Sequence, residues 1–296
     1  MGILILVFIF FIIFMMFISY LVFSMIGAGE GAQSFSSFGK EGIGLVEVKG
    51  VIMESKKAVE ELQKAEENKQ VKGIILRIDS PGGAVGPTQE IYEEIIRINQ
   101  IKPIYASFGS IAASGGYYIA AATEKIYSNA GTLTGSIGVI MQFLNLSKLY
   151  KFAKVSQEVI KAGHYKDVGH PYRDMTQEER DLLTDMITNV HKKFKEDILV
   201  KRKDKIKGNL EDLAQGQIFS GSAAKKNGLV DEIGSLWKAA RDLHKKLGLT
   251  GKLNMISMKK KKKFSIMDIL ENVEESVTHI RDGVLLDDVP LLMYRR

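Results

Sequence analysis

The run Val71-Lys72-Gly73-Ile74-Ile75-Leu76-Arg77-Ile78-Asp79-Ser80-Pro81-Gly82-Gly83 sets the architecture. Residues 71–78 are apolar and rich in β-branched side chains, which predicts a buried strand. Ser80-Pro81-Gly82-Gly83 ends it in a predicted turn, since Pro and Gly punctuate regular structure. Beyond it, Ile91, Ile95 and Ile98 recur at helical spacing within residues 88–98. Working outward, residues 43–51 read as a strand and residues 55–68 as a polar helix. Lys102-Pro103 introduces a short strand through Ala106, residues 112–122 form an Ala- and Gly-rich helix, and residues 125–127 another strand. Strand and helix in alternation predict an α/β fold with parallel crossovers. Residues 176–203 read as a long amphipathic helix, where Thr176 and Glu179 make a capping box and Lys accumulates late, as the helix dipole favours. Shorter helices fit residues 210–214 and 236–247, and there is no internal repeat.

The 296 residues are 45% hydrophobic and 26% charged, enough for a sizeable core. Of the net charge of +6, the run at residues 259–263 supplies five, so a basic face for nucleic acid is not indicated. The chain has no Cys, which excludes thiolate catalysis, Cys-ligated metals and disulfides. Residues 3–26 hold no charge and would span roughly 36 Å as a helix, enough to cross a bilayer. A cleaved signal peptide is the competing reading, but the basic n-region is missing and the apolar stretch is long. The expected organisation is an anchor (1–27), a flexible tether (28–42), a catalytic domain (43–258), and a basic linker with a helix and tail (259–296).

Two Gly-rich segments follow predicted strands. In Asp79-Ser80-Pro81-Gly82-Gly83, tandem glycines free backbone N–H groups to approach a ligand, as an oxyanion hole requires; a plain tight turn is the alternative. No Gly-Lys-Ser/Thr closes the segment, so a phosphate loop fits poorly. In Ser110-Ile111-Ala112-Ala113-Ser114-Gly115-Gly116-Tyr117-Tyr118, Ser114 sits among small residues at a helix start, where the Gly115 amide could stabilise an oxyanion. Close helix packing would use the same small residues. A serine needs a base. His164, His170, Lys161 and Lys166 lie together, whereas His191 and His244 fall in Lys-rich helices and are expected to be solvated. A lysine base must be desolvated to lose its proton near neutrality.

Ser80-Pro81-Gly82-Gly83, Ala112-Ala113-Ser114-Gly115-Gly116-Tyr117-Tyr118, Thr134-Gly135-Ser136-Ile137-Gly138 and Gly163-His164-Tyr165-Lys166-Asp167 resemble, in order and spacing, the signal-peptide-peptidase type of the S49 serine-protease family. The likeness runs over residues 42–249. It implies a ClpP/crotonase-like fold, with Ser114 as nucleophile and Lys166 as general base. Gly83 and Gly115 would supply oxyanion amides, with Gly82 an alternative to Gly83, and Ser136 would hold the lysine ammonium. Lys161 is the rival base. Half-length members of the family assemble as octamers whose Ser and Lys come from neighbouring subunits.

The expected function is a membrane-anchored serine endopeptidase that degrades released signal peptides and similar unfolded hydrophobic peptides through an acyl-enzyme. It would need no cofactor or metal, would bind no nucleic acid, and would face the extracytoplasmic side of the cell membrane. A crotonase-type acyl-CoA enzyme and a non-catalytic membrane scaffold are the rivals. For the apolar end of the chain, residues 287–296, a disordered end or a patch on a neighbouring subunit is the plainer reading, and a strand added in the substrate groove that inhibits the enzyme is the alternative. Lys259–263 would serve as a solvated linker or meet anionic lipid.

Overall fold

Strand β1 (Gly42–Lys49) leads through helix α1 (Lys56–Glu67) to strand β2 (Val71–Ser80), and the two strands pair in parallel from Ile43↔Gly73 to Lys49↔Asp79. This is a computed structural model, which describes residues 14–16, 40–259 and 291–293. Next come β3 (Gly82–Ala84), α2 (Val85–Ile98), β4 (Ile104–Ala113), α3 (Gly115–Ala121), β5 (Lys125–Ser128) and β6 (Leu133–Gly135). Then follow α4 (Ser147–Phe152), α5 (Gln177–Arg202), α6 (Leu210–Leu213), β7 (Ile218–Ser220) and α7 (Gly221–Lys226). The last elements are β8 (Glu232–Ile233), α8 (Leu236–Lys246), β9 (Met255–Ser257) and β10 (Leu291–Met293).

Among the described residues the main sheet runs β7-β6-β4-β2-β1-β9, with β5 and β8 branching from β4. Every pair in it is parallel except β6–β7. A parallel sheet must be covered on both faces, and Ile74, Ile75, Leu76 and Ile78 of β2 are apolar and fully buried for that reason. Ile74, Leu76 and Ile78 enter one core with Leu62 of α1, Ile91, Ile95 and Ile98 of α2, and Phe194 and Ile198 of α5. Ile75 enters the opposite core with Ile43, Tyr127, and Ala239, Ala240 and Leu243 of α8. The helical spacing of the three isoleucines of α2 is thus a burial pattern.

Three expectations change. Residues 80–84 form an extended jog into β3 rather than a tight turn. The strand expected to end at Ala106 continues to Ala113, and the following helix begins only after Ser114. Finally, β6, β7, β8 and β9 have two or three residues each, too few to leave a periodic signal.

Two units divide at Lys40. Of the expected anchor and tether, residues 14–16 are helical, Lys40 and Glu41 lead into β1, which takes in Gly42, and the rest lies outside the described residues. No described helix is long and apolar enough to cross a membrane. The helix expected after the Lys run also lies outside the described residues.

Candidate active site

The site is built where β4 departs from β2. The register moves from Ile78↔Phe108 to Ser80↔Ala112, a step of two residues on β2 against four on β4. Asp79 fills the resulting bulge, and its Oδ1 accepts from the N–H groups of Ser110 (2.9 Å) and Ile111 (3.1 Å). The Thr132 hydroxyl donates to the Gly109 carbonyl at 2.6 Å. A Cβ on Gly109 would lie 2.6 Å from Asp79 Cγ, so only glycine admits the carboxylate. The first half of β4 then pairs with β5 and the last three residues with β6.

Ser114 follows at the strand-to-helix junction with φ 53° and ψ −117°. Non-glycine residues seldom occupy this region, and holding one there costs of order 1–3 kcal/mol. The surrounding backbone holds it. Ser114 N–H donates to the Gly135 carbonyl, and the Ser114 carbonyl accepts from Tyr118 N–H, both at 2.8 Å. Ser114 is 1% exposed. Gly115 opens α3, so its N–H has no acceptor within the helix and remains free to meet a developing oxyanion. Gly116 has the packing role, since a Cβ there would lie 2.8 Å from the Ser80 carbonyl. The close-packing reading of the small residues holds at Gly116.

Strand β3 forms the neighbouring edge. Ile52 N–H donates to the Gly82 carbonyl and Ala84 N–H to the Ile52 carbonyl, each at 2.8 Å. A Cβ on Gly83 would lie 2.0 Å from the Ile52 carbonyl oxygen, which excludes any other residue at this distance. Gly82 N–H donates to Ser80 Oγ at 3.1 Å. By strand alternation the polar groups of Gly83 face away from Ile52. On that side lies β10, antiparallel, with Leu291 opposite Ala84, Leu292 opposite Gly83 and Met293 opposite Gly82. The backbone of β10 also runs beside α3. Residues 291–293 therefore lie as an added strand beside β3, close to α3.

Ser136 has φ 49° and donates its N–H to the Gln217 carbonyl at 2.8 Å. It directly follows Gly135, to which Ser114 is bonded, so Ser114, Gly115 and Ser136 share one corner. Lys166 does not join them within the chain. It is exposed, and among the described residues its side chain makes no hydrogen bond or ion pair. Lys161 differs: its Nζ is paired to the Asp167 carboxylate and donates to the His164 carbonyl at 2.8 Å.

Asp167 also accepts from Arg173 and Tyr172, and Arg173 forks onward to Glu179 at the start of α5. Hydrogen bonds from Arg173, Lys161 and Tyr172 hold the Asp167 carboxyl far below the usual carboxylate range. Arg173 lowers Glu179 from 4.5 to about 2 against the opposing effect of burial. His164 and His170 are exposed. His191, expected to be solvated, instead has a buried Nε2 without a hydrogen-bond partner among the described residues, and burial lowers its pKa. Sequence reasoning quoted Asp79 and Asp167 without giving either a role. Their adjacency to the two motifs was the available signal.

No group of acidic and His side chains among the described residues could hold a metal ion. Comparison with known proteins adds the chemistry. The family model described as Peptidase family S49 matches residues 97–250, just over half of the chain, and that of Clp protease matches residues 35–134. A Synechocystis sp. protein named as a protease is 38% identical over 202 residues, which cover 68% of this chain and 73% of that one. An Enterococcus faecium protein named as a signal peptide peptidase SppA is 37% identical, with 64% of this chain and 55% of the other covered. The chloroplastic serine protease SPPA of Arabidopsis thaliana is 32% identical, covering 79% of this chain and 35% of that protein. The chain thus spans about half and about a third of the last two. A strained serine at a strand-to-helix corner, a parallel α/β sheet and these matches agree: the chain belongs to peptidase family S49 and is a serine protease with a Clp-protease-like fold.

Proposed function

We propose that the chain is an endopeptidase in which Ser114 is the nucleophile and Lys166 of a neighbouring copy is the general base. The observation that carries this reading is the split between them. Among the described residues Ser114 is held in a strained, preorganised corner without a base, while Lys166 stands exposed without a partner. In the reaction, Ser114 Oγ attacks the scissile carbonyl and gives its proton to the Lys166 amine. Gly115 N–H, with Gly83 or Gly82 N–H, stabilises the oxyanion. Collapse expels the amine, which takes the proton from the Lys166 ammonium, as an acyl-enzyme forms on Ser114; the neutral Lys166 then accepts a proton from the water that attacks the ester and returns it to Ser114 Oγ as the acid leaves. Lys161 is a poorer base, because its ammonium is committed to Asp167. Ser136 Oγ would orient the Lys166 ammonium.

Exposed apolar residues on the segment leading to Lys166 favour a homo-oligomer, octameric by the family likeness. Phe152 is 86% exposed and Ile160 96%, with Leu149 and Val155 beside them. Such a patch calls for a covering surface, and a second copy would bring Lys166 along with it. The substrates we infer are released signal peptides and other unfolded hydrophobic peptides. They would bind as an added strand on β3, where the backbone of β10 already pairs. Residues 287–296 would then act as a tethered competitor. Residues 3–26 would anchor the enzyme in the cell membrane with the catalytic domain outside.

Mixing Ser114→Ala and Lys166→Ala chains tests the arrangement, since some interfaces then pair an intact serine with an intact lysine. Recovered peptide cleavage is expected. Verified mixed oligomers that stay inactive would place a complete dyad in each subunit.

A further inference from the structure

The loop that carries Lys166 is pinned by a chain of charges. Asp167 Oδ2 accepts from Tyr172 and from Arg173 Nε at 3.0 Å, while Oδ1 accepts from Arg173 Nη2 at 2.9 Å and from Lys161. An ionised carboxylate offers about four lone-pair sites, and these donors fill them. Arg173 reaches on to Glu179 with Nη1 at 2.8 Å. Glu179 Oε2 accepts from Thr176 N–H at 2.9 Å, and Glu179 N–H donates back to Thr176 Oγ1 at 3.2 Å, closing the capping box of α5. Helix α5 is itself fixed to the nucleophile's helix. The Phe194 ring lies 4.6 Å from that of Tyr118, whose hydroxyl bonds Asp197.

We propose that Asp167 and Arg173 are positioning residues for Lys166, tying its loop to α5 and saturating the one carboxylate adjacent to it in the chain. This rests on the reading of Lys166 as base. The clamp has two effects. It fixes the loop backbone, so that Lys166 projects from a defined point. It also denies the Lys166 ammonium an ion pair with its own neighbour, which would hold the proton that a base must release. The other charged and titratable groups around the clamp do not bond the Asp167 carboxylate. Glu178 faces His164 and Tyr165, the His170 ring lies against Tyr172, and Asp174 is bonded by Asn145 and by Ser147 of α4. Arg180 lines the hollow of about 560 Å³ beside Arg173. Lys148 and Lys151 act on Asp174 only at longer range.

Asp167→Asn, Arg173→Gln and Arg173→Lys in the full-length oligomer test this. The readouts are kcat and KM on a fluorogenic peptide, the rate of fluorophosphonate labelling of Ser114, and both rates across pH. Asp167→Asn is expected to lower kcat and labelling by about 10- to 100-fold with KM and oligomer mass unchanged. Arg173→Gln should do the same and also move the acid limb of the profile to higher pH by roughly one unit, because the freed Asp167 can pair Lys166. Adding Asp167→Asn to Arg173→Gln should abolish that shift, which loss of packing alone would not do. If Asp167→Asn misfolds, Arg173→Lys keeps the charge but loses the fork, and an intermediate fall in kcat without a pH shift is expected. Normal kcat and pH profile in Arg173→Gln and Arg173→Lys, with Lys166→Ala inactive, would overturn the clamp and leave the base standing. An active Lys166→Ala would remove both.

Discussion

Around Ser114 the backbone does the holding, whereas around Lys166 side-chain charges do. Ser114 is set by sheet pairing, by the Asp79-filled bulge, and by glycines at 83, 109 and 116 that let backbones and a carboxylate approach within distances no Cβ allows. Among the described residues the Lys166 loop has no strand partner. It is kept by Asp167, Arg173 and Glu179 in a partly exposed position, where ion pairs respond to pH and salt. The geometry at Ser114 is thus inseparable from the fold, while that of the Lys166 loop rests on side-chain ion pairs.

Removing either reactive group is the harshest test. Ser114→Ala and Lys166→Ala should each lower kcat by about 10³-fold or more with folding and assembly intact, and the double variant should be no worse than either single one. Activity persisting in Lys166→Ala but lost in Lys161→Ala or His164→Ala would reassign the base. Next in size is Gly83→Ala, which must displace β3 from Ile52 and is expected to cost about 100-fold in kcat/KM along with a lower Tm. Gly86→Ala is its control, because nothing lies within 4 Å of a Cβ there; its Tm should hold or rise. If both alanines are tolerated equally, the backbone account of the nucleophile's side is wrong.

The pH response should separate the two regions. Glu179 falls from 4.5 to about 2 on folding, so its contribution is complete above about 4.5 and lost as pH drops toward 2. Limited proteolysis in that window should cut residues 161–173 before it cuts β4. Simultaneous cutting would deny that the loop is held separately. At the other end, a lysine base must be neutral to accept the serine proton, so activity should rise with pH and stay high on the alkaline side. An ascending limb near 6.5 that disappears in His164→Ala or His170→Ala would indicate a histidine instead. The smallest expected effect is a few-fold rise in short-peptide cleavage on deleting residues 289–296, with trimming of the tail seen by mass in wild type but not in Ser114→Ala. Unchanged activity and an intact tail in both would discard the tethered-competitor reading.

The sequence by itself determined the elements whose signals are local. Ile91, Ile95 and Ile98 mark a buried helix face by spacing alone, and Thr176 with Glu179 marks a helix start because both halves of a capping box lie within one turn. Ser114 among small residues, and Gly82-Gly83 after a strand, stood out because small residues side by side mark close backbone approach, which the structure shows at Gly83 and Gly116. Only the tertiary structure decided what depends on distant partners. The length of β4 follows from Asp79 and Thr132 reaching across the sheet, and the two- and three-residue strands exist only because a neighbour pairs them. His191 lies in a Lys-rich stretch yet turns its Nε2 inward, which composition does not record. The contrast between Lys161 and Lys166 turns on one carboxylate: Asp167 is one residue from Lys166 along the chain, but its oxygens face Lys161 and Arg173. Sequence neighbours share a backbone, whereas charge pairing depends on where the side chains point, and that is settled only when the loop closes onto α5.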